Sequence, residues 1–405
     1  MTRAWPSLLL LSLSCGPDIV ASSGETGSEL PFDPAVECVE IVDVQTASGL
    51  VDQTCVLASN GATRCWGDLR WGDERWGPLH GQVVGDDEPA YMAGWVDLRL
   101  SSLSVGWDVC GATTGGVVRC LENWALTDEV VANGYDFGTD VVDVSVGTSA
   151  ACAVLADGAV RCWGSNHVGV VVGDDEPPSL IELPAGAVQV SVGAYSTCAV
   201  LETGELACWG EDPCDPACGL LGVPGAEPHT PNLVALPGAA VEVSVGGVWA
   251  CARLEDGTVS CWGYAEVTGH GADAENIGDD ETPASVPVLD FGQPVRAIDK
   301  QCVLLEDGTV RCWGIARTAT PLDPDAEPVL DALAAPPVPL PEPVTTISLG
   351  WGYYACALGQ SGAVYCWGTT PHGVQGYGHD DVIGLDPSVT VVQPVPVLDP
   401  RCDER

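Results

Sequence analysis

The sequence predicts an all-β fold, a seven-bladed β-propeller with four-stranded antiparallel blades. Three observations lead to it. Cysteines recur in seven pairs whose members are ten residues apart, a glycine stands six residues after each first cysteine, and an alternating apolar segment precedes the pairs. The pairs are Cys55 and Cys65, Cys110 and Cys120, Cys152 and Cys162, Cys198 and Cys208, Cys251 and Cys261, Cys302 and Cys312, and Cys356 and Cys366. Their first members are 42 to 55 residues apart, about 50 on average. A period of that length belongs to repeat arrays and propellers. Seven units leave no length for a second domain.

Each pair brackets a hairpin. Between Cys152 and Cys162, β-prone residues flank Asp157-Gly158, and the same turn position holds Gly61, Gly116, Gly204, Gly257, Gly308 and Gly362. A three-residue hairpin loop needs a left-handed residue at its third position, which glycine supplies without steric cost. With the loop centred on Asp157, Leu155 pairs with Ala159 and Cys152 lands opposite Cys162. Opposed residues hold their Cβ atoms about 4.5–5.5 Å apart, within reach of a disulfide after slight adjustment. The spacing of ten is therefore read as a cross-strand bridge. The competing reading is zinc, but the pairs lack histidine partners and CxxC knuckles.

Six second cysteines continue as Cys-Trp-Gly, with Trp66, Trp163, Trp209, Trp262, Trp313 and Trp367. Tryptophan next to cysteine faces the other side of the strand and can pack one sheet on the next. Unit two departs, with Leu121-Glu122 after Cys120, so weaker or rearranged packing is expected there. Upstream run the alternating strands VDVSVG at 142–147, VQVSVG at 188–193 and VEVSVG at 241–246. Downstream comes a variable loop and a Pro-flanked apolar strand, as in SLIELP or PASVPVLD. That makes four strands per unit, as in a propeller blade.

The chain has 405 residues, 57 Asp plus Glu against 14 Lys plus Arg, and a formal charge of -43. One residue, Lys300, is its sole lysine, so no basic patch can be assembled and a nucleic-acid partner is excluded. The 46% hydrophobic fraction is that of a globular chain, and 49 Gly with 31 Pro imply many turns. Nineteen cysteines point to an oxidising compartment, and the odd number leaves one to be explained.

The N-terminus accounts for it. Arg3 and the apolar run from Leu8, ending at Cys15, suit a signal peptide over residues 1–14. Cys15 is expected to be lipidated as in a bacterial lipoprotein, although Ser12 stands where that motif prefers Leu. A plain secretory signal is the alternative. Residues 15–35, with the lipidated cysteine at their start, read as a flexible tether, and residues 36–405 as the propeller.

Segment 142–166, VDVSVGTSAACAVLADGAVRCWGSN, resembles the regulator-of-chromosome-condensation repeat. The resemblance covers roughly residues 38–402 and recurs seven times. It implies a seven-bladed β-propeller, and the paired cysteines suggest the secreted bacterial branch of that family.

Ring closure gives two further cysteines a role. Cys38 precedes the first strand of unit one and Cys402 follows the last strand of unit seven. A bridge between them would clasp a loop of more than 300 residues, worth about 5 kcal/mol by loop entropy. Cys214 and Cys218, in EDPCDPACG, are read as a loop staple. Metal binding there with Asp212 or Asp215 is the alternative.

Catalytic constellations are mostly absent. His80, His167, His229, His270, His372 and His379 are scattered over variable loops, and no GxSxG, P-loop or dinucleotide fingerprint occurs. An acidic motif recurs at Val83–Pro89, Val171–Pro177 and Ile277–Pro283. Its carboxylates suit Ca²⁺, but the alternate acids of an EF-hand are missing, and a repeated turn is the favoured reading. Repetition across three blades likewise argues against a glycosidase pair. No cofactor is expected, with Ca²⁺ the one ion considered. The one Arg/Trp cluster, Arg70, Trp71, Arg75 and Trp76, is the candidate partner contact.

The expected function is that of a non-enzymatic, monomeric lipoprotein at the outer membrane or cell surface, with periplasmic or free secretion as alternatives. It would bind a protein or polysaccharide through variable loops and touch the membrane only through its lipid. The resemblance supports protein binding, since the family includes a secreted propeller that inhibits β-lactamases. Two alternatives are guanine-nucleotide exchange, as in the family's nuclear member, and a polysaccharide-acting propeller enzyme.

Overall fold

Seven small antiparallel sheets follow one another along the chain in a computed structural model. The structure describes residues 38–402 except 48–52, 69–82, 85–88, 97, 114, 122–134, 165–177, 215–216, 315–326, 351–353, 369–374 and 378–391. The chain divides into residues 1–31 and a body of 32–405. Only strands, turns and short 3-10 segments occur among the described residues, and no helix there is long and apolar enough to cross a membrane.

The blades are numbered one to seven in chain order. Blade three is representative: Val141–Val146, Ala150–Leu155, Val160–Gly164 and Ser179–Ile181 pair in sequence order. Five sheets have four strands and two have three. In blades five and six the outer strand shrinks to isolated bridges, Val259 with Leu289 and Arg311 with Pro337. The physical reason lies in the segments themselves: 283–289 and 336–341 are proline-rich, and proline has no N–H to donate to a ladder.

In every blade the paired cysteines are direct cross-strand partners. They are bridged, with Cα atoms 4.0–4.1 Å apart. Leu155 N–H donates to Ala159 O at 2.9 Å, closing the three-residue loop. All seven turn glycines are left-handed, with φ between 76° and 85°. At Gly158 a Cβ would also stand 2.6 Å from Gly186 Cα, so shape and conformation both demand glycine.

Tryptophan joins the blades. Trp209 of blade four packs with Cys152, Cys162 and Val160 of blade three, and Trp262 of blade five with Cys198 and Cys208 of blade four. Trp313 and Trp367 repeat this on blades five and six, Trp163 on blade two, and Trp66 on blade seven. Each indole therefore covers the disulfide of the preceding blade. Five of the six are at most 1% exposed, and Trp163 is 7%. Burial on that scale removes a large apolar surface from water at each seam. Blade two presents Leu121 instead, and its inner strand shortens to Ser104–Val105.

The ring closes between blades seven and one. Cys38 and Cys402 are bridged across 364 residues, with Cα atoms 5.3 Å apart. At the same seam Arg64, 1% exposed, donates to Val397 O at 2.6 Å, and Tyr354 Oη donates to Gln53 O at 2.8 Å.

Candidate functional site

The first strand of each blade is innermost, and together these strands line a central cavity of about 300 Å³. An innermost strand has one edge without a neighbour in its sheet, so its N–H groups need other partners. The adjoining blade supplies them. Val146 N–H donates to Ser104 Oγ at 2.9 Å, Val192 to Ser145 at 2.9 Å and Val245 to Ser191 at 3.0 Å. Lys300 N–H reaches Ser244 Oγ at 2.7 Å, Leu349 reaches Asp299 Oδ2 at 2.6 Å, and Thr46 reaches Ser348 Oγ at 2.9 Å. Among the described residues, these bonds stitch six seams.

A second tier lies two residues earlier. Val190 N–H donates to Asp143 Oδ2 at 2.9 Å, Val243 to Gln189 Oε1 at 2.7 Å and Ile298 to Glu242 Oε1 at 3.2 Å. Sequence reading saw the alternation in VDVSVG, VQVSVG and VEVSVG without assigning the polar positions. The signal was there: two polar residues per inner strand, at alternate positions, repeated from blade to blade.

Burial dominates the electrostatics of this tier. It pushes the Asp43 and Asp143 carboxyls up to about 6, against the opposing pull of their hydrogen-bond donors. Glu242 is also raised by burial, although Arg253 Nε donates to it at 2.7 Å and pulls the other way. Lys300 is 8% exposed, and its Nζ contacts Asp299 Oδ1 at 3.1 Å and Leu349 O of blade seven. In blade six the first hairpin has only Lys300 and Gln301 between paired Asp299 and Cys302. The ammonium thus bridges a seam that longer loops span elsewhere, as Trp107 N–H does to Gly147 O at 3.0 Å. The channel's polar groups are largely occupied in holding blades together.

The disc has two unlike faces. The Cys-to-Cys hairpin turns and the links between blades emerge on one; the strands that carry Cys-Trp-Gly end on the other. Arg70, Trp71, Arg75 and Trp76 lie outside the described residues, as do Cys15, His80, His167, His372, His379, Asp215 and most of the first two acidic motifs. His229 sits 3.2 Å from Glu211, and His270 Nε2 lies 3.1 Å from Pro287 O, so the two described imidazoles serve separate loops.

Cys214 and Cys218 are bridged, which removes both sulfurs as metal ligands. Asp212 is occupied as well: its two oxygens accept from the N–H groups of Cys214, Cys218, Gly219 and Leu220 at 2.8–3.2 Å. This is a stapled loop nest. It holds Leu220, whose carbonyl accepts from Trp262 Nε1 at 3.0 Å.

The third acidic motif packs on that nest. Gly219 and Gly278 leave no room for a side chain: a Cβ on either would meet backbone oxygen of the other loop at 2.3–2.4 Å. Asp279, Asp280 and Glu281 bring their carboxylates within 4.8 Å of one another. Glu281 is pushed up to about 7, by partial burial first and then by Asp280 and the charge of Asp279. The motif's observed role is to interlock blades four and five.

The fold and closed ring define a disulfide-stapled, seven-bladed β-propeller. Within it, residues 141–170 and 187–215, in blades three and four, match the regulator of chromosome condensation (RCC1) repeat. No curated protein gives a sequence match. Among solved structures, Prp20p of Saccharomyces cerevisiae is similar at 16% identity, covering 88% of this chain and 87% of that one, with a TM-score of 0.63. Human WBSCR16 shares 16% identity over 88% and 82%, with a TM-score of 0.54. The ectodomain of receptor kinase CR4 from Physcomitrella patens shares 18% over 83% and 77%, at 0.51. At these identities the likeness concerns the fold.

Proposed function

We propose that the protein is a non-enzymatic binding propeller, monomeric and exported, that holds a protein partner with its long-loop face. The observation that carries this reading is the use made of the channel. Its polar side chains are engaged in blade-to-blade hydrogen bonds, which leaves the variable loops as the part free to recognise something. Arg70, Trp71, Arg75 and Trp76, in the long loop of blade one, are the proposed anchors. Prp20p, similar in fold, is described by its binding to Gsp1p and histones, which accords with a protein-binding role for such a disc. Nine disulfides suit an oxidising, exported setting. We further propose removal of residues 1–14, lipidation of Cys15 and tethering to an outer membrane through residues 15–35.

The test is affinity capture from surface extracts with wild-type protein and with Trp71→Ala/Trp76→Ala. A partner retained by the first and lost by the second is expected; capture unchanged by the substitutions overturns the loop assignment. Labelled palmitate should enter wild type and not Cys15→Ala, and equal labelling of both would rule out the anchor.

A further inference from the structure

We infer that the hairpin-turn face carries a second docking surface, an arc of exposed valines edged by carboxylates on blades three to five. It fits a protein segment that presents apolar side chains beside lysine or arginine. This surface does not depend on the variable loops, which leave the disc on its other face.

The surface originates in a β-bulge that the sequence did not reveal. In six blades the inner strand's register skips one residue near its start: Val42, Val142, Val188, Val241, Arg296 and Thr345. A bulged residue is left out of the ladder and its side chain is re-aimed. Here it stands at the start of the innermost strand, at the hairpin-turn face. Val142 is 57% exposed, Val188 48%, Val241 39% and Val42 44%.

The molecule contains its own control. Threonine and arginine occupy the equivalent site in blades seven and six, so the bulge itself does not need an apolar side chain. Scattered single valines would need no explanation, but three exposed ones stand at equivalent places on consecutive blades, along one arc of the face.

Carboxylates accompany the valines on these three blades. In each of the six bulged blades the first hairpin-turn residue donates its N–H to the residue two before the bulge: Glu202 to Gly186 O at 2.8 Å, and Glu255 to Ala239 O at 2.9 Å. In blade three Ala156 donates to Asp140 O at 2.8 Å, and Asp157 follows. The contact brings exposed Glu202 and Glu255 to the bulges of blades four and five, and in blade three the exposed Asp157 stands one residue further along the turn. Blade seven has neutral Gln360 beside Thr345, bonded to Pro343 O at 3.1 Å. No lysine or arginine occurs in residues 136–142, 156–159, 182–188, 202–205, 236–241 or 255–258. An apolar centre with an acidic rim suits a basic partner whose apolar residues insert between its cations, and repels nucleic acid and anionic membranes.

The probe is a fluorescent peptide with two leucines flanked on each side by three lysines, compared with its serine counterpart by anisotropy. The leucine peptide is expected to bind about tenfold more tightly. Val188→Ser/Val241→Ser should erase that advantage and leave the serine peptide unchanged. Glu255→Gln/Asp256→Asn should weaken both peptides and flatten the salt dependence. Asp279→Asn/Glu281→Gln, on the long-loop face, should alter neither. No binding, equal binding of both peptides, a leucine advantage that survives the valine substitutions, or loss of binding in the long-loop variant would each overturn the inference. None of these outcomes bears on capture through Trp71 and Trp76, so the two surfaces fail or stand separately.

Discussion

The seam between blades four and five and the seam between blades one and two meet the same demand with different materials. In the first, Trp262 is fully buried on the Cys198–Cys208 bridge and its indole N–H reaches Leu220 O. Ser191 and Gln189 supply two tiers of hydrogen bonds across the boundary. In the second, Leu121 takes the tryptophan's place and the facing inner strand is two residues long. Gln53, 0% exposed and on the strand face shared with Cys55, keeps both side-chain amide atoms without a hydrogen-bond partner. A propeller can thus carry one loosely specified joint when its remaining joints and a covalent clasp define the ring.

The clasp offers the largest effect. Cys38→Ser/Cys402→Ser releases a 364-residue loop and should lower stability by about 5–6 kcal/mol on the chain-entropy estimate. Chemical denaturation measures it, and a loss below about 1 kcal/mol would mean the ring closes without the bridge. Next, Trp262→Ala should cost about 3–5 kcal/mol against about 2–3 kcal/mol for Leu121→Ala. Equal losses would remove the distinction between the two joints.

The third prediction concerns pH. Asp143 has a folded-state pKa raised from 3.8 to about 6, so the folded chain holds this proton more tightly than the unfolded chain. The stability linked to it is full below about pH 4 and declines as pH rises through about 6. Asp143→Asn keeps an acceptor for Val190 N–H and should raise stability at pH 8 by about 1–3 kcal/mol, with little change at pH 4. Thermal melts at the two pH values decide it, and a gain equal at both would locate the effect elsewhere. The smallest effect would sharpen the contrast: Gln53→Leu should stabilise the weak joint by about 1 kcal/mol, by replacing an unpartnered buried amide with an apolar side chain of similar size.

How much of this was legible follows the range of each interaction. The hairpin register, the turn glycines and the tryptophan faces depend on residues within ten positions of one another, and alternation plus spacing reveals them. Ser145 bonding to Val192, or the ammonium of Lys300 reaching Leu349, depends on which strand becomes the neighbour after a whole blade, and periodicity alone does not say that. The bulge at Val142 was hidden for another reason. A skipped residue in an apolar run looks like one more strand residue until the partner's register is known. Proline in 283–289 did signal a broken outer strand, though four strands per unit was the expectation. Of the proposed sites, the Arg/Trp loop was visible only as composition, while the valine arc needed the ladder.

Each blade but the second turns its sulfur toward the next blade and its indole toward the one before. The ring therefore has a sense of rotation, and every joint but one is built from the same two halves. Such a chain has no privileged starting blade: an opening cut at another inter-blade link, with the present ends fused, would preserve each pairing of sulfur and indole. Evolution by gain or loss of whole units meets the same rule, since an added blade brings one half of a joint on each side. What resists change is the reversal of a single blade, which would set indole against indole.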